Sequence, residues 1–413
     1  MTKATSSQAY LFCKKSIRLK TTPKYVKLQM RDFMRICEGK DKKYVVSEKK
    51  LAQLKGILKL LIMPKGLKAG QTLYECTTGY QWLFYTAILC TVYRDKPEKR
   101  RYETGVLEIS RKNFKTFSVA TLFILLILTE PPETLMYSVA PDGALSKLVK
   151  EALASILRAS PMVYEHKGKK HFKILRDYIE FRPNRSQVVP LSYSTSRLDG
   201  RVVSVYLADE IGALPNSYAI EAMKSGQVTS PNKLGILAST KYPTIQNPLE
   251  EEVVFSKRVL DGTEKDESRF SLLYEPDKTK GWETDDLILK QANPVALEIP
   301  EIWEDLVKKR ARAIAMESVR ENFVTKHCNI VYQGAGTETY VDVKDVQACK
   351  TAHIDWKGKV VYLGLDLSET NDNTSVSMVA LGDNNEILAD SFAFIPEGRI
   401  EEKSATERVN YRE

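Results

Sequence analysis

The run Val202-Val203-Ser204-Val205-Tyr206-Leu207-Ala208 is apolar and ends in two adjacent acids, Asp209-Glu210. No other feature restricts the fold of this chain so strongly. A strand this apolar is buried on both faces, as in a parallel sheet covered by helices. Carboxylates at its end are costly unless they face water or a cation. The run therefore reads as a central strand that delivers two acids to a site at the sheet edge. An ordinary strand end with exposed acids is the plainer alternative.

The flanking sequence supplies the rest of such a sheet. Gly105–Ile109 reads as a short strand and Ser110–Asn113 as a polar turn. Thr116–Leu128 reads as an apolar helix stopped by Pro131-Pro132. Leu135–Ala140 has strand character, followed by an amphipathic helix over Leu145–Leu157. Ile174–Phe181, Val188–Ser194 and Leu234–Ala238 read as further strands. Strands alternating with helices predict an α/β fold, with a mostly parallel sheet and helices on both faces. Upstream, Asp32–Leu61 has helical spacing. Beyond residue 250, Val253–Leu260 and Leu287–Gln291 read as helices, and Glu301–Phe323 as one long helix. A second β-system follows over Val360–Asp366, Ser375–Leu381 and Ile387–Phe394, with Asp383-Asn384-Asn385 as a turn. A domain boundary is expected between residues 335 and 358.

Several constellations carry chemistry. Ser110-Arg111-Lys112-Asn113-Phe114-Lys115-Thr116 follows a strand and opens a helix, where a phosphate-binding loop belongs. Such a loop needs backbone N–H groups, a lysine for charge and a hydroxyl for Mg²⁺. Lys115 and Thr116 supply the last two, but Ile109 and Phe114 stand at the glycine positions. A lysine and threonine at a helix start are also commonplace. With that loop, Asp209 would hold Mg²⁺ and Glu210 would deprotonate the attacking water. Ser239-Thr240 ends another apolar strand, as a γ-phosphate sensor or as a simple turn. Tyr80-Gln81-Trp82 offers an amide and rings to an adenine, or else part of an aromatic core helix. Asp366, on a short apolar strand, resembles the opening carboxylate of a two-metal nuclease site. It reads equally as a structural Asp.

Composition sets the outer limits. The net charge is +9, but residues 1–50 alone carry +10 and the remaining 363 sum to −1. The N-terminal stretch is either a solvated face or a contact for phosphates or a partner. Six cysteines without CxxC spacing read as reduced thiols. His166, His171, His327 and His353 lack metal-ligand spacing. The most apolar run, Val119–Leu128, is far short of the roughly 20 residues of a membrane span. No secretory signal opens the chain. A cytoplasmic protein without a membrane partner is expected.

In combined order these segments resemble the large terminase subunit of tailed bacteriophages. Arg111-Lys112-Asn113-Phe114-Lys115-Thr116 resembles that family's deviant phosphate loop, and Leu207-Ala208-Asp209-Glu210 its Walker B strand. Tyr80-Gln81-Trp82 resembles its adenine-recognition segment and Ser239-Thr240 its coupling motif. Leu273-Tyr274-Glu275-Pro276, Trp282-Glu283, Gln291-Ala292-Asn293-Pro294 and Glu321-Asn322-Phe323, running into a strand start near Asn329, are further markers. Gly364-Leu365-Asp366-Leu367-Ser368 looks like the opening of its nuclease domain, and Phe394-Ile395-Pro396-Glu397-Gly398 like the strand end that follows.

The resemblance implies a P-loop NTPase sheet followed by a ribonuclease H-like nuclease domain. It implies a basic helical region over 1–70, an ATPase core over 71–255, a helical linker over 256–345 and a nuclease start over 346–413. It implies ATP and Mg²⁺ as cofactors, with Mg²⁺ or Mn²⁺ for the nuclease. Gln81, Arg111, Lys112, Asn113, Lys115, Thr116, Asp209, Ser239 and Thr240 would surround the nucleotide. Glu210 would act as base, with Arg111 on the γ-phosphate. Arg197 or Arg201 would act on a neighbouring subunit's ATP. Thr116, Asp209 and Asp366 would be metal ligands. The implied partners are double-stranded DNA, a portal protein, a small terminase subunit and further copies in a ring, in the host cytoplasm.

Two departures temper these expectations. Phe114 replaces the loop glycine and restricts its backbone. The family's nuclease also carries carboxylates well after its first Asp. This chain is therefore expected to hold an incomplete nuclease domain that binds its metals poorly or not at all. The competing reading is a nucleic-acid-binding assembly protein with an inactive nucleotide fold. A helicase-like ATPase fits less well, because the Asp366 segment and Ala292-Asn293-Pro294 have no place in it.

Overall fold

The computed structural model describes residues 3–193, 198–332, 348–351, 353–367 and 373–400. The chain divides into two compact units, Met1–Gly334 and Ala335–Glu413.

The first unit is built on an eight-stranded sheet. Its strands are β3 (Thr104–Glu108), β4 (Leu135–Ala140), β7 (Phe172–Ile174), β8 (Ile179–Phe181), β9 (Ser186–Ser192), β10 (Val205–Asp209), β11 (Leu234–Ser239) and β12 (Arg269–Leu273). Two small antiparallel pairs lie outside it: β1 (Tyr44–Val46) with β2 (Thr91–Tyr93), and β5 (Glu165–His166) with β6 (Lys169–Lys170). The sheet order is β12-β3-β11-β10-β4-β9-β8-β7. All pairings from β12 to β9 are parallel, and only β8 runs against the rest, antiparallel to both β9 and the edge strand β7.

Alternation along the strands divides the core between the two faces. Leu107, Val205, Leu207, Ile236, Phe270 and Leu272 enter one apolar cluster. Their neighbours Val106, Tyr206, Ala208, Leu237 and Leu273 enter the other. Helices Gly79–Cys90, Lys115–Thr129 and Gly143–Ala159 cover the first face, and Tyr218–Ser225 and Pro248–Asp261 the second. Gly235 is paired with Tyr206 across the strands, and a Cβ on it would lie 2.4 Å from the tyrosine ring. The close approach of β11 to β10 therefore needs a glycine there. A third apolar cluster, including Trp282, Leu289, Phe323 and Cys328, lies in the helices after β12.

Four readings of the sequence are corrected. Ile174–Phe181 is not one strand: β7 ends at Ile174 and β8 begins at Ile179, antiparallel to it. Asp32–Leu61 is not one helical stretch: helix Lys24–Cys37 stops, β1 intervenes, and helix Glu48–Leu60 begins at the Ser47 cap. The left-handed Gly39 (φ 73°) turns the chain between them. Glu301–Phe323 is not one helix either. It breaks at Met316 between Pro300–Ala315 and Arg320–His327, and Asn329 is a left-handed residue (φ 56°), not a strand start. Strand β12 is missing from the sequence reading, because Arg269 and Ser271 interrupt it and leave no continuous apolar run like that of β10.

The second unit contains a three-stranded antiparallel sheet of β13 (Tyr362–Asp366), β14 (Thr374–Leu381) and β15 (Ile387–Phe394). Among the described residues no helix is long and apolar enough to cross a membrane.

Candidate functional site

Ligands of open parallel sheets bind outside the carboxyl ends of the strands. Here β3, β11 and β10 are neighbours and run in one direction, so the ends of all three open on one crevice. The loop 110–114 leaves β3, Ser239 ends β11, and Asp209 ends β10.

The loop keeps a glycine-like backbone without glycine. Lys112 and Phe114 are both left-handed, at φ 72° and 60°. Phe114 stands directly before helix Lys115–Thr129 and is 39% exposed. An L-residue pays roughly 1–2 kcal/mol for that conformation, which the surrounding bonds must hold. Asn113 is the chief brace. Its Nδ2 donates to Ser110 Oγ (2.8 Å) and Asn293 Oδ1 (2.9 Å), and its Oδ1 accepts from the Val295 N–H (3.2 Å). Ser110 Oγ donates to the Ala292 carbonyl at 2.8 Å. The Asn113 side chain is thus spent on the segment Ala292-Asn293-Pro294 and not presented to a nucleotide. Gln81 is likewise buried and engaged. Its Oε1 accepts from the Thr78 N–H and hydroxyl, both at 2.9 Å, and its Nε2 donates to Ser118 Oγ at 2.8 Å. It braces the helix after the loop, and as placed it does not offer its amide to an adenine.

Lys115 is the centre of the site. It is 8% exposed, and its Nζ lies 2.6 Å from Asp209 Oδ1 and 2.8 Å from Glu210 Oε1. Burial alone would lower its pKa, but attraction to Asp209 and then Glu210 outweighs this and holds it above the usual lysine range. Glu210 answers in the opposite direction. Burial pushes it up, yet the Lys115 charge and hydrogen bond leave its carboxyl below the usual range. Glu210 is itself left-handed (φ 53°), and its Oε2 accepts from the Tyr242 hydroxyl at 3.1 Å. Thr116 lies half-buried in the first turn of the helix. Arg111 and Lys112 are exposed at the loop surface. Ser239 Oγ accepts from the Gly212 N–H (3.2 Å) and donates to the Thr240 carbonyl (2.9 Å), so it links the β11 end to the turn after Glu210.

Residues not anticipated complete the surroundings. Lys326, on helix Arg320–His327, donates from Nζ to the Lys241 carbonyl (2.8 Å) and to Thr240 Oγ1 (3.3 Å). The same ammonium lies 3.1 Å above the Tyr242 ring. Burial is the largest cause of its pKa falling to about 8; Arg111 and Lys115 push the same way and Glu210 opposes them. The Lys326 carbonyl accepts from the Arg111 N–H at 2.8 Å. Behind the loop, Lys241 bridges Glu108 (3.2 Å), Glu250 (2.8 Å) and Glu275 (3.2 Å). Lys241 and Tyr242 adjoin the Ser239-Thr240 segment, and Glu108 is the one charge in an apolar strand, so both carried a sequence signal. Lys326 carried none.

Other expected residues lie elsewhere. Arg201 precedes β10 and stacks over Tyr137, 5.3 Å from the ring centre. It lies ahead of β10 while Asp209 ends it, and the four steps from Val205 to Asp209 alone span about 13 Å at a strand's rise. Arg197 and Ser368 lie outside the described residues.

Asp366 ends β13, paired with Ser375 and through it with Ala393. Asp390 pairs with Met378 and through it with Leu363. Odd spacing from that row puts Asp390 on the opposite face of the sheet from Asp366. Among the described residues no group of three or more His, Cys, Asp or Glu is placed to hold a metal ion. The described residues therefore do not assemble a two-metal site around Asp366.

Comparisons with known proteins agree on one family. A model of the ATPase domain of the terminase large subunit matches residues 83–258, and one of its endonuclease domain matches 263–413. Among solved structures, the chain is similar to the large terminase of bacteriophage HK97, at 20% identity and a TM-score of 0.56. That match covers 87% of this chain and 71% of the other. The large terminase of a thermophilic bacteriophage matches at 12% identity and a TM-score of 0.39, covering 75% of this chain and 67% of that one. The HK97 likeness is one of fold. Among curated proteins none matches this chain.

Proposed function

Because the chain belongs to the terminase large-subunit family, we propose that its first unit is an ATP-hydrolysing motor that drives double-stranded DNA into a procapsid. The observation that carries the reading is the buried Lys115 ammonium held between Asp209 and Glu210 at the strand ends. A buried lysine flanked by two acids, at a left-handed loop that opens a helix, fits a triphosphate and its divalent cation.

In this reading Lys115 moves from the acids onto the β- and γ-phosphates. Thr116 and Asp209 hold Mg²⁺, which when bound neutralises charge on the phosphates. Glu210, released from Lys115 and still bonded by Tyr242, orients the attacking water and accepts its proton. Arg111 and Lys112 contact phosphates from the loop surface. Gln81 and Asn113 act by bracing the loop. Ser239 and Thr240 respond to the γ-phosphate, and Arg201 serves the site of a neighbouring copy in a homo-oligomeric ring. The ring would contact DNA through phosphates, without sequence preference. It would work with a portal protein and a small terminase subunit in the host cytoplasm.

The second unit supplies the endonuclease part, with Asp366 as one ligand of Mg²⁺ or Mn²⁺. Among the described residues its carboxylates do not converge on one point.

The test is steady-state ATP hydrolysis with and without duplex DNA. Turnover stimulated by DNA and abolished in Glu210→Ala is expected. A Glu210→Ala protein with full turnover would sink the base assignment. The left-handed Phe114 favours a second reading, an assembly protein with an inactive nucleotide fold. That reading predicts no binding of Mg-ATP even at millimolar concentration.

A further inference from the structure

Three lysines are buried around the crevice, and two have anionic partners. Lys115 has Asp209 and Glu210; Lys241 has Glu108, Glu250 and Glu275. Lys326, 7% exposed, has no carboxylate within ion-pair distance among the described residues. Its ammonium is met by one carbonyl, one hydroxyl and the face of Tyr242. These are dipolar and cation–π contacts, and they offset only part of the cost of taking a charge out of water. A buried ammonium of this kind either gives up its proton or takes an anion from solution as its partner.

Its position says which anion. Thr240 lies at the end of β11, beside the ends of β3 and β10 that carry the loop and Asp209. Tyr242, beneath the ammonium, donates to Glu210. The Arg111 N–H in the loop donates to the Lys326 carbonyl. Lys115 and Lys326 are thus joined through Glu210 and Tyr242.

We propose that the Lys326 ammonium binds the terminal phosphate of a nucleoside triphosphate, and that this adds a phosphate-dependent link between helix Arg320–His327 and the phosphate loop to the Arg111–Lys326 backbone bond already in place. The proposal rests on the nucleotide-site reading above. It gives the crevice a means of telling a triphosphate from a diphosphate, through a residue 86 positions beyond Thr240 in the chain.

The test is equilibrium binding of Mg-ATPγS and Mg-ADP to the full chain. In Lys326→Met, affinity for ATPγS should fall about 10-fold or more while that for ADP changes less than about 2-fold, as expected for one charge-assisted contact. Lys326→Arg should recover most of the ATPγS affinity. Lys326→Gln keeps a donor for Thr240 and the Lys241 carbonyl but removes the charge, so it should behave like the methionine variant. It also serves in place of that variant if the latter does not fold. Equal losses for both nucleotides, or a glutamine variant that binds like wild type, would mean that Lys326 only braces the backbone and would overturn the proposal. Lys115→Ala binding both nucleotides like wild type would instead overturn the nucleotide-site reading. A wild-type chain that binds neither nucleotide removes both.

Discussion

Lys115 Nζ lies 2.6 Å from Asp209 Oδ1, although 94 residues separate them in the chain. The contact fastens the start of a helix to the end of β10 and neutralises acids that the apolar strand would otherwise bury alone. Lys115→Met leaves Asp209 and Glu210 without their cation. Removing one partner of a buried ion pair costs about 3–5 kcal/mol, so urea unfolding at neutral pH should show a loss of that order. The loss should shrink as the pH is lowered, because protonation removes the uncompensated charge. A methionine variant as stable as wild type at neutral pH would show that water, not Lys115, solvates the acids.

Phe114 tests whether loop backbone or loop bulk limits nucleotide entry. Glycine at 114 relieves roughly 1–2 kcal/mol of left-handed strain, but it also gains freedom in the unfolded chain worth about 0.5–1 kcal/mol. Stability should therefore change by less than about 1 kcal/mol in Phe114→Gly. Affinity for Mg-ATP should rise several-fold. Phe114→Ala keeps the backbone strain while removing the ring, so calorimetric titration of both variants separates the two causes. If neither binds better than wild type, the ring and the backbone are both compatible with the phosphates.

Lys241 serves three carboxylates at once, and Glu108 is fully buried among them. Burial is the main cause that pushes the Glu108 carboxyl up, to about 7, with Lys241 opposing and Glu275 and Glu250 adding to it. A carboxyl raised in the folded state keeps its proton there after the unfolded chain has lost its own. Stability should therefore fall as the pH rises from about 4.5 through 7. Lys241→Met should lower stability by about 3–5 kcal/mol at pH 8 and by clearly less at pH 6. Glu108→Gln should flatten that pH dependence. Urea midpoints for the three proteins at both pH values provide the measurement.

The parts of this molecule legible in its sequence are those governed by local pattern. Strands β4 and β15 have the bounds that their β-type runs predict, and the Asp209-Glu210 strand end is visible because two acids after an apolar run have few explanations. Patterns fail where tertiary contacts decide. Strand β12 buries Arg269 and Ser271 along with its apolar residues, so no apolar run marks it. Asn113 reads as a phosphate ligand by position, yet its amide is claimed by Asn293, 180 residues away. Gln81 presents the right chemistry for an adenine but is drawn inward by Thr78 and Ser118. Asp390 could be assigned to a face only once the pairing register of β14 and β15 was known. Lys326 meets the crevice through a helix break at Met316 that a continuous helical pattern concealed.

His327 follows Lys326 and is 9% exposed, with its Nδ1 buried and without a hydrogen-bond partner. Burial is the main cause that lowers its pKa to about 4, with Lys309 and Arg111 acting in the same direction. The unfolded chain takes up this proton near pH 6.5 and the folded chain only near pH 4. Stability is therefore held above pH 6.5 and drains away as the pH falls towards 4. A shift of this size corresponds to about 3 kcal/mol at most. Because the Asn293 amide donates to the His327 carbonyl at 2.8 Å, acid loosening here should reach the loop through Asn293 and Asn113. His327→Phe removes the titration and keeps a ring against Phe323. It should lose several-fold less nucleotide affinity than wild type between pH 7 and pH 5, and its urea midpoint should depend less on pH over that interval. Parallel pH dependence in the two proteins would place the acid-sensitive group elsewhere.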